Sequence, residues 1–257
     1  HRDLHSFPTR RSSDLWQAVK STFANKSFII FVVANFMCTF MFSICMGAIF
    51  YVADYVTQQP TIYLLAALFI PLAIGVPLVQ FVLKRFEAVR TMQIYLLITG
   101  LGLIAIGFVP VNLIMVCIMV VGFGYSGVQV VTYLLLGQVI DEDELHTGVR
   151  REGSYFGANA LVTKPAQSLA ATLTASILAA ANFVTRESNG GQIFLNQPET
   201  ALFGIRAIIG IIPGAAMLIA ALILFLFPLK GRHLAEVKDK MLRMHAEKHA
   251  KLLEQGG

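Results

Sequence analysis

The residues of this sequence best placed for chemistry are Lys164 and Pro165, which lie together inside an apolar segment. A charge near the centre of a lipid bilayer is costly, so ionisable residues there usually mark a transport path or a proton relay. If the segment starts near Ser154, Lys164 lies roughly 15 Å into it, close to the midplane. Pro165 removes one backbone amide and invites a kink, which makes it a candidate hinge. A purely structural ion pair is the alternative role of the lysine, but none of the apolar segments carries an acidic partner.

Polar side chains also recur at helical spacing in three apolar segments. A single such side chain is more often an interhelical hydrogen bond worth about 1 kcal/mol or less than a ligand contact. Three stripes on three helices nevertheless predict a shared polar cavity. The candidate pathway residues are Asn35 and Thr39 in the first segment, Tyr125 and Gln129 in the fourth, and Asn159, Thr163, Lys164 and Gln167 in the fifth.

A second feature is the segment Asp141–Gly153, which carries seven charged residues between two apolar stretches. The sequence predicts a loop here, because so many charges are excluded from the hydrocarbon region. An acid-rich run beside His146 could hold a cation, but a loop facing basic partners explains it better. No metal site is expected, and the three cysteines are scattered in apolar segments as small hydrophobic residues.

These residues must be positioned by helices that cross a membrane. The chain of 257 residues is 56% hydrophobic and only 14% charged, and its mean hydropathy is +0.68. Soluble domains carry about a quarter of charged residues, so the composition predicts an all-α membrane protein. The predicted spans are Ser27–Val52, Thr61–Leu83, Thr91–Val109, Leu113–Ile140, Ser154–Phe183 and Phe203–Phe227.

Both ends of the chain differ from this six-span bundle, which is assigned to residues 16–230. Residues 1–15 match one reading frame of a common sequencing adapter, so we interpret them as non-native and expect an N-terminal part of the natural protein to be missing. Residues 231–257 place apolar side chains at helical spacing among Lys and Glu, which predicts an amphipathic helix on the cytoplasmic membrane face.

The distribution of basic residues predicts the orientation of the spans. Lys84, Arg85, Arg150, Arg151 and the tail lysines fall on one side of the membrane, whereas the other side has few basic residues. Basic loops face the cytoplasm. Both ends of the natural fragment are therefore predicted to be cytoplasmic, in a multi-pass protein of the cell membrane.

The run VIDEDELHTGVRREG, followed by the lysine within the next helix, resembles one family. It is similar to the loop between helices 10 and 11 and the lysine of helix 11 in the glycoside–pentoside–hexuronide:cation symporters, the melibiose-carrier group of the major facilitator superfamily. The resemblance covers about 240 residues and implies helices 7 to 12 of a twelve-helix fold. Gln129 and Gln138 depart from the residues common in that group. Asp141, Thr147, Gly148, Arg150 and Glu152 coincide with the family pattern, and Lys164 with a lysine of its cation and sugar region.

The resemblance implies a symporter that uses Na⁺ or H⁺ to move a small polar solute, a sugar or glycoside, by alternating access. The cytoplasmic gate would then comprise Asp141, Thr147, Gly148, Arg150, Arg151 and Glu152, with charged pairs to the missing N-terminal half. That half carries the cation-binding carboxylates in the family. The expected partners are the solute, the lipid bilayer and the missing half, with no nucleic acid and no cofactor besides the coupling ion.

Two other functions stay open at this point. The DELxTGxRREG motif also resembles that of sodium-dependent lysophospholipid symporters, which leaves a lysolipid or another amphiphile as an alternative solute. A non-transporting membrane sensor or scaffold would use the charged loops as docking surfaces. An enzyme is not expected, because the sequence has no nucleophile–base pair, no metal-ligand spacing and no phosphate-binding glycine loop.

Overall fold

The computed structural model describes residues 20–185, 190 and 194–255. The segment His1–Leu15, interpreted above as non-native, lies outside these residues. All the regular elements in the described ranges are helical, which confirms the all-α fold. The helices are α1 Lys26–Thr57, α2 Thr61–Leu83, α3 Ala88–Phe108, α4 Val111–Thr147, α5 Glu152–Ala180, α6 Glu199–Leu226 and α7 Gly231–Gln255.

Five of these helices, α1 to α4 and α6, are long and apolar enough to cross a membrane. The sixth predicted span, α5, has 29 residues and is therefore about 44 Å long, which exceeds the roughly 30 Å of a hydrocarbon core. Its composition is more polar than that of the other five. Helix α5 therefore has the length of a membrane span but is not among the helices that are apolar enough by composition to cross a membrane.

The largest difference from the predicted boundaries is at the end of α4. The acidic run from Asp141 to Glu144 is helical and not part of a loop, because α4 continues to Thr147. Glutamate is a good helix former, and nothing in the run breaks the helix. Gly148 then ends α4 with a left-handed φ of 72°. Its backbone amide donates a 2.8 Å hydrogen bond to the carbonyl of Glu144. Only residues 148–151 connect α4 to α5.

Glycines set the packing of α4 against its neighbours. A Cβ atom at Gly127 would overlap the ring of Tyr95 on α3, and one at Gly122 would overlap the carbonyl of Leu68 on α2. A Cβ atom at Gly124 would lie 2.5 Å from the hydroxyl oxygen of Thr99 on α3. The small residues at these positions therefore permit close helix contact. On the other side of the bundle, α1 packs against α5 and α6, and α6 against α3.

The interior prolines do not interrupt their helices. Helix α2 runs through Pro71 and Pro77, and α5 through Pro165. Helix α1 continues beyond the predicted end at Val52 as a π-helical segment, Val52–Thr57. The turn after α1 therefore begins only at Gln58, which has a left-handed φ of 50°.

The C-terminal helix α7 does have the predicted apolar face. Its residues Leu234, Val237 and Met241 are buried, and with Gln138 they line a cleft of about 330 Å³ against the end of α4. His233 Nε2 lies 3.2 Å from Glu142 Oε1, which fixes the start of α7 to α4. These apolar side chains pack on the bundle, which corrects the prediction that this face lies on the membrane surface.

Candidate functional site

Two of the three predicted polar stripes meet between α1 and α5. Asn35 Nδ2 donates a 2.8 Å hydrogen bond to Asn159 Oδ1, and both side chains are half-buried. The Thr39 hydroxyl donates to the carbonyl of Asn35 at 3.0 Å, and the Thr163 hydroxyl to that of Asn159 at 2.9 Å. Each of these threonine hydroxyls therefore bonds to the backbone of its own helix and not to the neighbouring helix. The asparagine pair is therefore the polar contact between the two helices.

Lys164 lies on the face of α5 that points away from α1. Tyr155, Ala158 and Ala166 of α5 are buried, whereas Lys164 and Gln167 are exposed. Lys164 has no hydrogen bond or ion pair with the part of the chain that the structure describes. Lys164 is exposed in this chain because α1 covers only one side of α5. Pro165 is exposed on the same open face.

The stripe on α4 contacts α1 through an aromatic pair. Tyr125 is buried and stacks on Phe42, with ring centroids 5.3 Å apart and planes within 10°. Phe42 lies two helical turns along α1 from Asn35. Gln129, one turn further along α4, is exposed. The structure thus brings Asn35, Asn159 and Tyr125 around α1, and leaves Gln129, Lys164 and Gln167 on open surface.

The predicted gate residues form a compact ion-pair cluster, hereafter the charged end. Arg150 lies 2.8 Å from Asp141, 3.1 Å from Glu144 and 2.6 Å from Glu152. Hydrogen bonds with Glu152 and Asp141 raise the pKa of Arg150 above its ordinary value. Thr147 belongs to the cluster through its hydroxyl, which donates to the carbonyl of Asp143 at 2.9 Å. All these pairs form within the chain itself.

Arg151 connects three parts of the fold at the charged end. It binds both carboxylate oxygens of Asp143, at 2.6 and 3.0 Å, and donates to the hydroxyl of Ser21 at 2.6 Å. The bond to Asp143 raises the pKa of Arg151 above its ordinary value. Nearby, Asn25 Nδ2 donates to the hydroxyl of Tyr155 at 3.2 Å. These contacts hold the approach to α1 against the connection between α4 and α5.

Sequence reasoning missed Ser21 and Asn25 as members of this cluster. Asn25 caps α1, accepting a 3.2 Å hydrogen bond from the amide of Phe28. An asparagine directly before an apolar run is a recognisable capping signal. Nothing local in the sequence indicates the partner of Ser21, which is 130 residues away.

The acidic run of α4 is used for internal pairing. Asp141, Asp143 and Glu144 face arginines, and Glu142 faces His233. Among the residues described, no three His, Cys, Asp or Glu side chains are grouped closely enough to hold a metal ion. The carboxylates at the charged end are therefore arranged to bind the arginines of the loop.

Comparison with known proteins gives a family match over most of the chain. A family described as MFS/sugar transport protein matches residues 1–231. An uncharacterized symporter of Synechocystis sp. is 28% identical over 222 residues, which cover 83% of this chain and 40% of that protein.

Two further relatives come from enteric bacteria. A glucuronide carrier protein homolog of Escherichia coli is 24% identical over 204 residues, covering 76% of this chain and 42% of that protein. A Salmonella typhimurium protein with a provisional assignment as a sulfoquinovose importer is 26% identical over 252 residues, covering 93% of this chain and 50% of that protein. The chain spans about half the length of the curated relatives it matches.

Proposed function

The chain belongs to the MFS/sugar transport protein family, and from this premise we propose that it is the C-terminal half of a cation-coupled symporter for sugars or glycosides. The multi-pass fold supports transport, since several apolar helices surround polar contacts. In the proposed mechanism, two six-helix bundles rock about a central site and expose it to each side of the membrane in turn. Na⁺ or H⁺ would drive uptake.

The observation that carries this proposal is the exposed Lys164 on the open face of α5. Lys164 and Gln167 are exposed there and Lys164 has no partner in the described chain, although α5 is long enough to cross the membrane. A lysine ammonium facing lipid would be costly. A second half of the carrier, with a water-filled cavity between the halves, resolves this cost. The Asn35–Asn159 pair would then brace the wall of that cavity.

The charged end would work as the cytoplasmic gate in this proposal. Basic loops and tail lysines at that end support a cytoplasmic location in the cell membrane. Arg150 and Arg151 are already paired within the chain. Closing the gate on the other half would therefore exchange some of these pairs for new ones and would not create charge pairs from free side chains. Pro165 on the open face would permit local bending of α5.

The solute class is supported by what the relatives are named for. A glucuronide and sulfoquinovose are both polar sugar derivatives, and those names belong to the relatives. The polar groups on α1 and α5 suit such a solute better than a long acyl chain. A lysolipid is kept as a competitor in the experiment, because the charged-end motif resembles lysophospholipid symporters.

The test is uptake of labelled glycosides into proteoliposomes that contain the intact carrier, with and without a Na⁺ or H⁺ gradient. Wild type is expected to accumulate a glycoside only with a gradient. Lys164→Ala is expected to lower accumulation at least about tenfold, because a charged hydrogen bond from the lysine to the solute is lost. Lys240→Ala, a change at an exposed tail position, is the matched control and is expected to transport normally.

Three outcomes would overturn parts of the proposal. Wild-type accumulation by Lys164→Ala removes this residue from the mechanism. Inhibition of uptake by lysolipids but not by sugars assigns the carrier to amphiphiles. A complete lack of substrate-dependent flux in well-folded protein favours a sensor or scaffold.

A further inference from the structure

A pocket lies at the end of the bundle opposite the charged end, and it has no role in the transport mechanism proposed for this chain. Helix α1 has 32 residues, so this end lies about 48 Å from the charged end. The pocket has a volume of about 380 Å³ and is formed by the end of α1 and the segment after α5. This volume is typical of sites for small molecules. Its lining includes Phe50, Tyr51, Asp54, Tyr55, Phe183 and Thr185.

The aromatic residues of the pocket hold one another in place. The ring of Phe183 lies 5.5 Å from that of Tyr51 and 5.0 Å from that of Tyr55, in both cases nearly perpendicular. Edge-to-face contacts of this kind are favourable and fix ring orientation. Phe50 is different, because 58% of its surface is exposed and it is not needed to fill the core. The pocket thus combines fixed aromatic walls with one accessible ring.

Asp54 adds a carboxylate to the aromatic lining of the pocket. It lies in the π-helical segment Val52–Thr57, which is stabilised by a 3.1 Å bond from the Thr57 hydroxyl to the carbonyl of Val52. π-helical segments are rare and are frequent at functional sites. A carboxylate can accept about four hydrogen bonds. Asp54 can therefore bind hydroxyl groups in addition to any contact it already makes within the chain.

We propose that this pocket is an entry subsite that binds a pyranoside before it reaches the central site. The inference rests on the proposed function for its orientation, which places the pocket on the outer side. A pyranose ring has an apolar C–H face that fits an aromatic ring, and hydroxyls that donate to a carboxylate. The pocket lies roughly 24 Å along α1 from Asn35, so it is separate from the candidate site. Weak binding here would raise the local solute concentration at the mouth of the carrier.

The test measures protection of an introduced thiol in the intact carrier. Thr185→Cys places the thiol at an exposed position in the pocket wall, and Gln59→Cys places one at an exposed position at the same end but outside the lining. Both are labelled from outside with a membrane-impermeant maleimide. The probes are 4-nitrophenyl glycosides of glucose, galactose and glucuronic acid, with sorbitol and choline for comparison. The unmodified chain gives the background from the native cysteines.

Saturating glycoside is expected to slow labelling of Thr185→Cys at least fivefold and to leave Gln59→Cys unchanged. Adding Phe50→Leu to the Thr185→Cys protein is expected to abolish most of this protection without affecting folding, because Phe50 is exposed. Tyr133→Leu, which removes an exposed aromatic ring from α4, is the matched control and should retain it. Equal labelling rates with and without glycoside, or equal protection at both cysteine positions, would overturn the inference. Protection by choline but not by glycosides would replace the sugar with an organic cation and overturn it as well.

Uptake of the same glycosides by the same preparations separates this inference from the proposed function. Uptake without protection of Thr185→Cys leaves the function intact and overturns the subsite. Protection without uptake supports a sugar-binding pocket and overturns transport. Absence of both overturns both.

Discussion

The side-chain amide of Asn35 on α1 donates a 2.8 Å hydrogen bond to the side-chain oxygen of Asn159 on α5. The two residues are 124 positions apart in the chain, and the bond is half-buried between the two helices. In a membrane helix pair, such a bond selects one rotation of each helix about its axis, because an unpaired amide in an apolar contact is costly. The bond between Asn35 and Asn159 therefore also sets the face of α5 that stays uncovered, which is the face that carries Lys164.

The first prediction concerns this bond. Asn159→Leu is expected to destabilise the protein by about 1 kcal/mol, because it leaves the Asn35 amide without its partner. The double variant Asn35→Leu/Asn159→Leu is expected to recover part of that loss. Thermal unfolding in detergent measures both effects. Gln167→Leu, on the exposed face of α5, is the control and should change stability little. A coupling energy of zero between the two asparagines would contradict the prediction.

The second prediction concerns Arg151. Arg151→Lys is expected to cost about 2 kcal/mol, because a lysine cannot bind both oxygens of Asp143 and reach Ser21 as well. The Asp143 side chain is 8% exposed, so little water can replace the lost bonds. Arg232→Lys serves as the control, since the Arg232 side chain is 94% exposed and its pair with Glu236 is solvated. The free energy of unfolding of the two variants should differ clearly; equal values would show that the Arg151 contacts contribute little.

The third prediction uses two glycines of the same helix. Gly127→Ala is expected to destabilise the protein by about 1–3 kcal/mol, because its Cβ would overlap the ring of Tyr95. Gly137→Ala is expected to be neutral or slightly stabilising, since no atom lies within 4 Å of its added Cβ and alanine is the better helix former. Thermal unfolding of both variants gives the comparison. A tolerated Gly127→Ala would mean that α3 and α4 can separate without loss.

The fourth prediction concerns the docking of α7. Val237→Asp is expected to release the helix from the end of α4, because Val237 is buried against the bundle. Leu242→Asp is the control, as 72% of the Leu242 surface is already exposed. Limited trypsin digestion should cleave at Lys238 and Lys240 faster in Val237→Asp than in Leu242→Asp. Identical digestion of the two variants would argue against docking.

The sequence predicted the features that depend on local pattern. Apolar length predicted the spans, and an apolar stripe predicted the amphipathic α7. The polar stripes of α1 and α5 were also recognised, and the structure joins them at Asn35 and Asn159. These predictions follow from apolar length and helical periodicity, both of which a sequence shows directly.

The predictions that were wrong, and the features that were missed, depend on contacts between residues that are distant in the chain. The acidic run Asp141–Glu144 looked like a loop because of its charge, but it is helical, and each of its carboxylates faces a cation that lies beyond the end of α4. The exposure of Lys164 could not be read from a local pattern either, because the coverage of α5 depends on which helices pack on it. The aromatic pocket joins Tyr51 to Phe183, which are too far apart in sequence for any local pattern to connect them.

The extension of α4 beyond the membrane determines how dissolved salt acts on the charged end. Helix α4 has 37 residues and is about 55 Å long, so its last turns project beyond a hydrocarbon core of about 30 Å. Exposed charges are screened within about 10 Å at 0.1 M salt, whereas buried pairs are screened far less. The Arg150 side chain is 41% exposed and that of Arg151 is 21% exposed. A rise in ionic strength should therefore weaken the bonds of Arg150 first, and the connection between α4 and α5 should loosen while Arg151 stays attached to Asp143.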